Sequence, residues 1–399
     1  MASIAAPLRL KKGQEQLIRD GYPWIYSSDM IESSELLLLP AGSLVAIETH
    51  KGERLGVGYY NAKSPIACRV LALGTAMIDE TFFATRLAHA LARRAPIGIP
   101  YYRLVHSEAD FLPGLLVDRF GDILVVQVGT AGMEQLKPLW LAALDQLLAP
   151  KAIVLRNDTS ARTVEGLSQE ARIEKGEVPA LVEVIENGCV FFADLMKGQK
   201  TGWFYDQRDN HALMAARASG KTMLDVYAHA GGFGIQAALA GATQVEMVDS
   251  SALALSLAEK AAVRNGVAAR CNYRQGDAFA LMQSLQQEGK HYDMVCVDPP
   301  AFVKQKKDLA SGLKGYEKAT RLAAPLVAPG GLLFVASCSH HATRPKFNQA
   351  VLSGVKKAGY SAKIIQQTGA SLDHPRHPKL AQSEYLKGIV LEIAPAATL

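Results

Sequence analysis

One stretch constrains the chain more than any other: Met223-Leu-Asp-Val-Tyr-Ala-His-Ala-Gly-Gly-Phe-Gly-Ile-Gln-Ala-Ala-Leu-Ala240, followed by Val245-Glu-Met-Val-Asp249. An apolar strand, Met223 to Val226, runs into a glycine-rich turn at Gly231, Gly232 and Gly234. An Ala/Leu helix follows, and a second short strand ends on an acid. This order is a βαβ unit of the nucleotide-binding kind. Glycines let backbone approach a ligand, and the terminal acid can accept from a pair of ribose hydroxyls. The glycines alone do not discriminate, because Gly232-x-Gly234-x-x-Ala237 also satisfies the dinucleotide pattern.

From Thr222 onward strands and helices alternate, which predicts an α/β fold with a doubly wound sheet. Expected strands are Met223–Val226, Val245–Val248, Arg270–Gln275, Met294–Val297 and Leu332–Ala336, completed by Lys363–Gln366 and Gly388–Ile393. Expected helices span about 232–240, 251–265, 277–288, 313–328 and 346–358. Ligands of open α/β sheets sit beyond the carboxyl ends of the strands. Just past those ends stand Asp225 with its glycine turn, Asp249, Asp277, Asp298-Pro-Pro-Ala-Phe302 and Ser337-Cys338-Ser339. Packing alone does not call for such a set. Two members favour S-adenosylmethionine over NAD. Asp225 is placed for the cofactor's amino-acid end, and Asp298-Pro299-Pro300 has no use in a dehydrogenase. An NAD-dependent oxidoreductase would use Gly232, Gly234 and Asp249, but no hydride-transfer site accompanies them.

At 399 residues the chain exceeds one ordinary core, and two or three domains are expected. Its 49% apolar and 20% charged content is that of a soluble globular protein. No apolar run approaches the ~20 residues of a membrane span, and residues 1–20 lack an apolar core of signal-peptide length. Cysteines at 68, 189, 271, 296 and 338 have neither zinc-site nor disulfide-framework spacing. A cytoplasmic, reduced protein without metal is expected. The net charge of +5 permits a nucleic-acid partner without demanding one.

Residues 8–73 read as a small β domain, with Leu44 to Thr49 pairing Leu55 to Tyr60. Arg9, Lys11, Lys12 and Arg19 place positive charge at its start, which a solvated basic face explains equally well. Asp79 can cap a helix carrying Phe82, Phe83, Leu87 and Leu91, ended by Pro96. Strands at Leu115–Asp118, Ile123–Val128 and Lys151–Arg156, with a helix between the last two, make a compact α+β module. Arg162 to Glu177 reads as a polar loop, and Asn187-Gly188 as a type I′ turn joining Leu181–Ile185 to Cys189–Ala193. Lys200, Thr201, Asp206, Gln207, Arg208 and Asp209 then form a polar stretch without apolar period, suited to a ligand-contacting lid.

Gly198-Gln-Lys-Thr-Gly202, Asp206-Gln-Arg-Asp-Asn210, Tyr227-Ala-His-Ala-Gly-Gly-Phe233, Asp298-Pro-Pro-Ala-Phe302, Ser337-Cys-Ser339 and Tyr385-Leu-Lys-Gly388 together resemble the RlmI-type large-subunit rRNA cytosine-C5 methyltransferases. Leu10-Lys-Lys-Gly13 through Gly21-Tyr-Pro-Trp24 looks like that family's amino-terminal PUA domain, so the resemblance covers essentially the whole chain. It implies a PUA-like RNA-binding domain over 1–73, a central α+β domain over 74–190, and a Rossmann-like class I methyltransferase domain with a seven-stranded sheet over 191–399. His211 and Trp203 depart from the family's arginine and phenylalanine, and His340-His341 follow the Ser-Cys-Ser. For the cofactor S-adenosylmethionine it implies Thr201, Gly202, Asp206, Gln207, Asp225, Tyr227, Ala228, Gly231, Gly232, Asp249, Ser250, Asp277, Ala278 and Asp298. For ribosomal RNA it implies the amino-terminal basic residues and Lys304, Lys306 and Lys307, with no membrane partner and room for a homodimer.

The chemistry supports the resemblance independently. Carbon 5 of cytosine is a poor nucleophile until a thiolate adds at C6, so one positioned cysteine is required. Cys338 follows the fifth strand and Asp298 the fourth, which makes them the expected nucleophile and its acid partner. Cys296 lies inside a strand, and Cys68, Cys189 and Cys271 also read as structural. An N2-guanine RNA methyltransferase would keep Asp298-Pro-Pro300 without needing Cys338. A decayed RNA-binding scaffold would not keep acids at every strand end.

Overall fold

The computed structural model describes residues 3–199 and 201–396, so Lys200 lies outside the described residues. The chain forms two compact units. One comprises Met1–Val182, Asp194–Trp203 and Leu372–Ser383; the other comprises Glu183–Ala193, Phe204–Ser371 and Glu384–Leu399.

The first unit holds two five-stranded sheets. In spatial order the first runs Ala6–Arg9, Ser43–Glu48, Arg54–Tyr60, Cys68–Leu73 and Trp24–Ile25. The expected antiparallel pairing is there, with Val45 opposite Gly58. The second runs Ala171–Lys175, Ala152–Arg156, Ile123–Val128, Leu115–Phe120 and Tyr101–His106. Asp79 caps the helix Glu80–Arg94 by accepting from the Phe82 amide at 2.9 Å, and Phe83 and Leu87 are buried beneath it. The two sheets share a core. Tyr59 of the first donates to the Pro113 carbonyl at 2.8 Å and meets the Thr130 hydroxyl at 3.0 Å.

Three edge strands depart from the sequence reading. The stretch read as a loop over 162–177 contains the strand Ala171–Lys175, and Ala6–Arg9 and Tyr101–His106 carry no expectation at all. Ala171–Lys175 pairs with Ala152–Arg156 through backbone alone while its own side chains face mostly solvent. No apolar alternation is needed there, so none is written in the sequence.

In the second unit the hairpin Val182–Glu186/Cys189–Ala193 turns on Asn187 and Gly188, at φ of +51° and +79°, as a type I′ turn requires. The main sheet has strands β1 (Thr222–Val226), β2 (Gln244–Asp249), β3 (Cys271–Gln275), β4 (Tyr292–Val297), β5 (Val327–Ser337), β6 (Tyr360–Thr368) and β7 (Lys387–Pro395). Its order is β3-β2-β1-β4-β5-β7-β6. β1 to β5 are parallel, and β7 inserts antiparallel between β5 and β6. Helices α1 (Arg208–Ala215), α2 (Gly232–Leu239), α3 (Ala252–Arg264), α4 (Ala278–Gln287), α5 (Leu309–Ala323) and α6 (Arg344–Lys357) connect or precede the strands. β1, β4 and β5 read as apolar runs because the sheet is buried, with Leu224, Val295 and Leu333 in one core. The helix expected over 313–328 starts earlier, at Leu309, and stops at Ala323 before a short turn through Pro325. β5 therefore begins at Val327.

Close packing in the first unit gives a direct test. A Cβ on Gly132 would stand 2.0 Å from the Tyr59 ring. Gly132→Ala should lower stability by about 1–3 kcal/mol through overpacking. A wild-type melting temperature in calorimetry would contradict this packing.

Candidate active site

β1 leads into a turn whose backbone is unusual for its residue types. Tyr227 and His229 have φ of +66° and +50°, and Gly231 has φ of +84°. The conformation is held from both sides. The amides of Tyr227 and Ala228 donate to the Val248 carbonyl at 2.9 and 3.0 Å. The Asp249 carboxylate accepts from the His229 amide at 2.9 Å and the Ser251 amide at 2.8 Å. Asp249, half-buried at the end of β2, thus fastens the turn and faces the end of the sheet, with exposed Ser250 beside it. A Cβ at Gly234 would stand 2.9 Å from Met247 of β2, and one at Gly231 would stand 2.8 Å from Ile235 and 3.2 Å from Met247, so these glycines serve helix-to-strand packing. A Cβ at Gly232 would meet the His211 ring at 2.5 Å. That ring also packs edge-on against Phe233 and bonds Glu186 Oε1 at 2.6 Å, which accounts for a histidine at this position.

Asp225 is buried under the turn. Its Oδ2 accepts from the Gly234 amide at 2.9 Å, and its Oδ1 has no hydrogen-bond partner among the described residues. Burial pushes its carboxyl up to about 7, further raised by Asp298 and Asp249 and opposed by the Gly234 amide and His211. Asp277 stands exposed past β3, capping α4 at the Ala280 amide (2.9 Å), with Ala278 buried behind it.

Past β4 and β5 a second set of groups is tied together. Gln207 Nε2 donates to Asp298 Oδ2 at 2.8 Å, and Asn210 Nδ2 donates to Gln207 Oε1 at 2.5 Å. Tyr385 donates to Asp206 Oδ2 at 2.6 Å. The expected lid is therefore, in part, a packed support. On the β5 side, Ser337 donates to the Tyr316 hydroxyl at 2.8 Å, and the Tyr316 and Ser339 hydroxyls meet at 2.7 Å. Ser339 Oγ also accepts the Val303 amide at 3.1 Å, linking the segment after β4 to the turn after β5. Cys338 sits between these serines, partly exposed, whereas the other four cysteines are buried. Burial pushes the Cys68 and Cys189 thiols up to about 12, Cys271 to about 11, and Cys296 well above the usual value. Lys387, only 2% exposed, donates to the Ser339 carbonyl at 2.7 Å. Burial lowers its pKa to about 8, with Arg344 acting in the same sense and Cys338 and Glu384 opposing.

Lys387 and Tyr316 are the groups that residue-by-residue reading passes over. Tyr316 lies on an amphipathic helix and reads as core, and a lysine in a strand reads as solvated. Thr201 and Gly202 fold with the first unit, where Thr201 donates to Asp118 Oδ2 at 2.5 Å. Of the basic residues, Arg9 pairs with Glu48 at 3.2 Å, Arg19 with Glu53 at 2.9 Å, and Lys11 donates to the Ser28 carbonyl. Lys12, Lys304, Lys306 and Lys307 are exposed. Among the described residues no group of three or more His, Cys, Asp or Glu side chains could hold a metal, and no helix is long and apolar enough to cross a membrane.

Residues 8–73 match the PUA-like domain family, and residues 127–376 match the S-adenosylmethionine-dependent methyltransferase family. A curated protein of Shewanella denitrificans named ribosomal RNA large subunit methyltransferase I is 34% identical over 397 residues, spanning 98% of this chain and 100% of the relative. Its namesake in Aeromonas salmonicida is 34% identical over 391 residues, 96% of this chain and 98% of its own. The chain belongs to the ribosomal RNA large subunit methyltransferase I family. In structure, a chain of Streptococcus mutans described as a SAM-dependent methyltransferase aligns with TM-score 0.82 at 20% identity, over 97% of this chain and 100% of its own. Another, complexed with SAH, gives TM-score 0.83 at 20% identity, over 98% and 100%. At this identity the likeness carries the fold, a class I methyltransferase fold.

Family membership makes S-adenosylmethionine the cofactor and sets the dinucleotide reading aside. The sheet agrees, because its antiparallel β7 has no counterpart in the six-stranded dinucleotide order. The residues also fit the cofactor. Asp249 offers a carboxylate at the tip of β2, and Asp225 Oδ1 is an orphaned acceptor beneath the turn. A testable consequence follows from Asp225. Its folded pKa lies above that of an unfolded carboxyl, so the folded protein holds the extra proton and stability falls as pH rises from about 4 toward 7. In the cofactor-free protein, Asp225→Asn should remove this decline, gaining up to about 4 kcal/mol on wild type between pH 4 and 8. Parallel stability curves in denaturant titrations would contradict it.

Proposed function

We propose that this chain methylates carbon 5 of a cytosine in large-subunit ribosomal RNA, with Cys338 as nucleophile and Asp298 as its acid partner. The observation that carries the reading is Cys338 itself: the partly exposed cysteine among five, past β5, in a turn braced by Ser337, Tyr316 and Lys387. Asp298 follows Val297, whose register partner on β5 is Val335, so it leaves β4 beside Ala336, two residues before Cys338 on the adjacent strand.

Bound S-adenosylmethionine supplies an electrophilic methyl group. The cofactor is held by Asp249 at its ribose, with Ser250 beside it, by the turn through Tyr227, Ala228, Gly231 and Gly232, and by Asp277 and Ala278 past β3. Asp225 and Asp206 with Gln207 would support its amino-acid end. A cytosine turned out of its stack presents C6 to Cys338. The thiolate adds at C6, and the C5–C6 electron pair moves to C5, which would take the methyl group as its bond to sulfur breaks and S-adenosylhomocysteine leaves. Loss of the C5 proton to a base, followed by elimination of the thiolate, restores the aromatic ring. Asp298, as the acid partner, would donate its proton to ring N3, where the negative charge of the adduct collects, and accept from the exocyclic amine. Arg9, Lys11 and Lys12 with Lys304, Lys306 and Lys307 contact RNA phosphates.

Lys387 acts through Cys338. Its ammonium favours the thiolate while protonated, and it loses its proton above about pH 8. The methylation rate at saturating cofactor should therefore fall above about pH 8. Lys387→Met should cut the rate about tenfold or more, move the acid limb to higher pH and erase the alkaline fall. Nucleoside mass spectrometry of treated large-subunit RNA should find 5-methylcytosine with wild type and none with Cys338→Ala. Methylguanosine as the product, or full activity in Cys338→Ala, would favour a guanine-N2 enzyme instead.

A further inference from the structure

Within the first unit, a cavity of about 830 Å³ lies between the helix Glu80–Arg94 and the turn that carries Phe111. Arg86, His89 and Arg93 line it from one face of the helix, at spacings of three and four. Arg86 is partly buried. Its guanidinium donates to the Phe111 carbonyl at 2.5 Å and the Leu71 carbonyl at 2.6 Å, and lies 4.4 Å from the centre of the Phe82 ring. Desolvation lowers its pKa to about 10, and no carboxylate among the described residues pairs with it. The acids that line the cavity are already engaged. Asp110 is shared by Arg93 and Arg94, at 2.6 Å each, and Asp79 caps the helix. A guanidinium withdrawn from water without a counter-ion is costly unless an anionic ligand completes it.

The apolar wall is equally unusual. Phe111 has φ of +58°, a left-handed conformation rare for an aromatic residue, and remains 51% exposed. Met77 beside it is 66% exposed. The backbone conformation is that of a helix cap, the Phe111 amide donating to the Glu108 carbonyl at 3.0 Å, and the ring meets His377 edge-on at 5.8 Å; the part of the ring left exposed is what a ligand can cover. Exposed aromatic faces beside guanidinium groups are how single-stranded nucleic acids are held. We infer that this cavity binds one nucleotide of a single-stranded RNA segment, its base stacked on Phe111 against Met77 and its phosphate on Arg86 and Arg93. The site is a second RNA contact, outside the methyl-transfer machinery, and it rests on the reading of the chain as an RNA enzyme.

The test is fluorescence anisotropy of the full chain with a fluorescein-labelled twelve-nucleotide oligouridine over a range of salt. Phe111→Gly should weaken binding about tenfold, in line with the loss of one base stack. Glycine suits the backbone at this position, so the variant should stay folded. Arg86→Gln should weaken binding and reduce the slope of log affinity against log salt by about 0.7. Both should bind S-adenosylhomocysteine as wild type does. Wild-type affinity in folded Phe111→Gly would overturn the inference, and that variant decides alone should Arg86→Gln fail to fold. Displacement of the oligonucleotide by micromolar AMP would overturn it too, making the cavity a site for free nucleotides. Failure of the methylation reading looks different: wild type would then methylate no ribosomal RNA, whatever the oligouridine result.

Discussion

The Lys387 ammonium is held almost out of water on the antiparallel strand β7, opposite Ser337 of β5. Few arrangements tolerate a buried cation, and this one directs it at the carbonyl of Ser339, the residue after Cys338. Register makes the placement non-negotiable, because a slip of one residue would turn the lysine to the other face of the sheet. Tyr316 closes the same turn from α5 by bridging the hydroxyls of Ser337 and Ser339. The turn is thus fixed by strand pairing on one side and helix packing on the other. Cys338 is presented by a rigid frame, which suits the nucleophile proposed for it.

A second fixed point is Asp249, which holds two backbone amides of the β1 and β2 turns before any ligand arrives. The positive φ of Tyr227 and His229 persists because these bonds and the Val248 carbonyl over-determine it. Backbone groups of the proposed cofactor site are therefore set in advance, and little ordering remains for binding to bring about.

Much of this was legible from residue order. Strands buried on both faces announce themselves as apolar runs, so β1, β2, β4 and β5 fall where the sequence puts them, and the acids past their ends follow. Elements stabilised by backbone pairing at an edge leave no such trace, and Ala171–Lys175 was hidden for that reason. Asp225 shows a different limit. Its position at the end of β1 is legible, but its burial, its bond to the Gly234 amide and its orphaned Oδ1 are not. Lys387 was visible only as part of a motif. Its effect on Cys338 depends on β7 inserting beside β5, a tertiary pairing that no local pattern encodes.

The central claim is that Cys338 bonds covalently to C6 of the target cytosine. Large-subunit RNA transcribed with 5-fluorocytosine tests it most directly, since fluorine at C5 cannot leave as a cation and the adduct stalls before elimination. With S-adenosylmethionine present, wild type should form a protein–RNA complex that survives a denaturing gel, and peptide mass spectrometry should place the attached nucleotide on Cys338. Cys296→Ala should still form that complex and Cys338→Ala should not. A crosslink that persists in Cys338→Ala, or that maps to Cys296, would contradict the account.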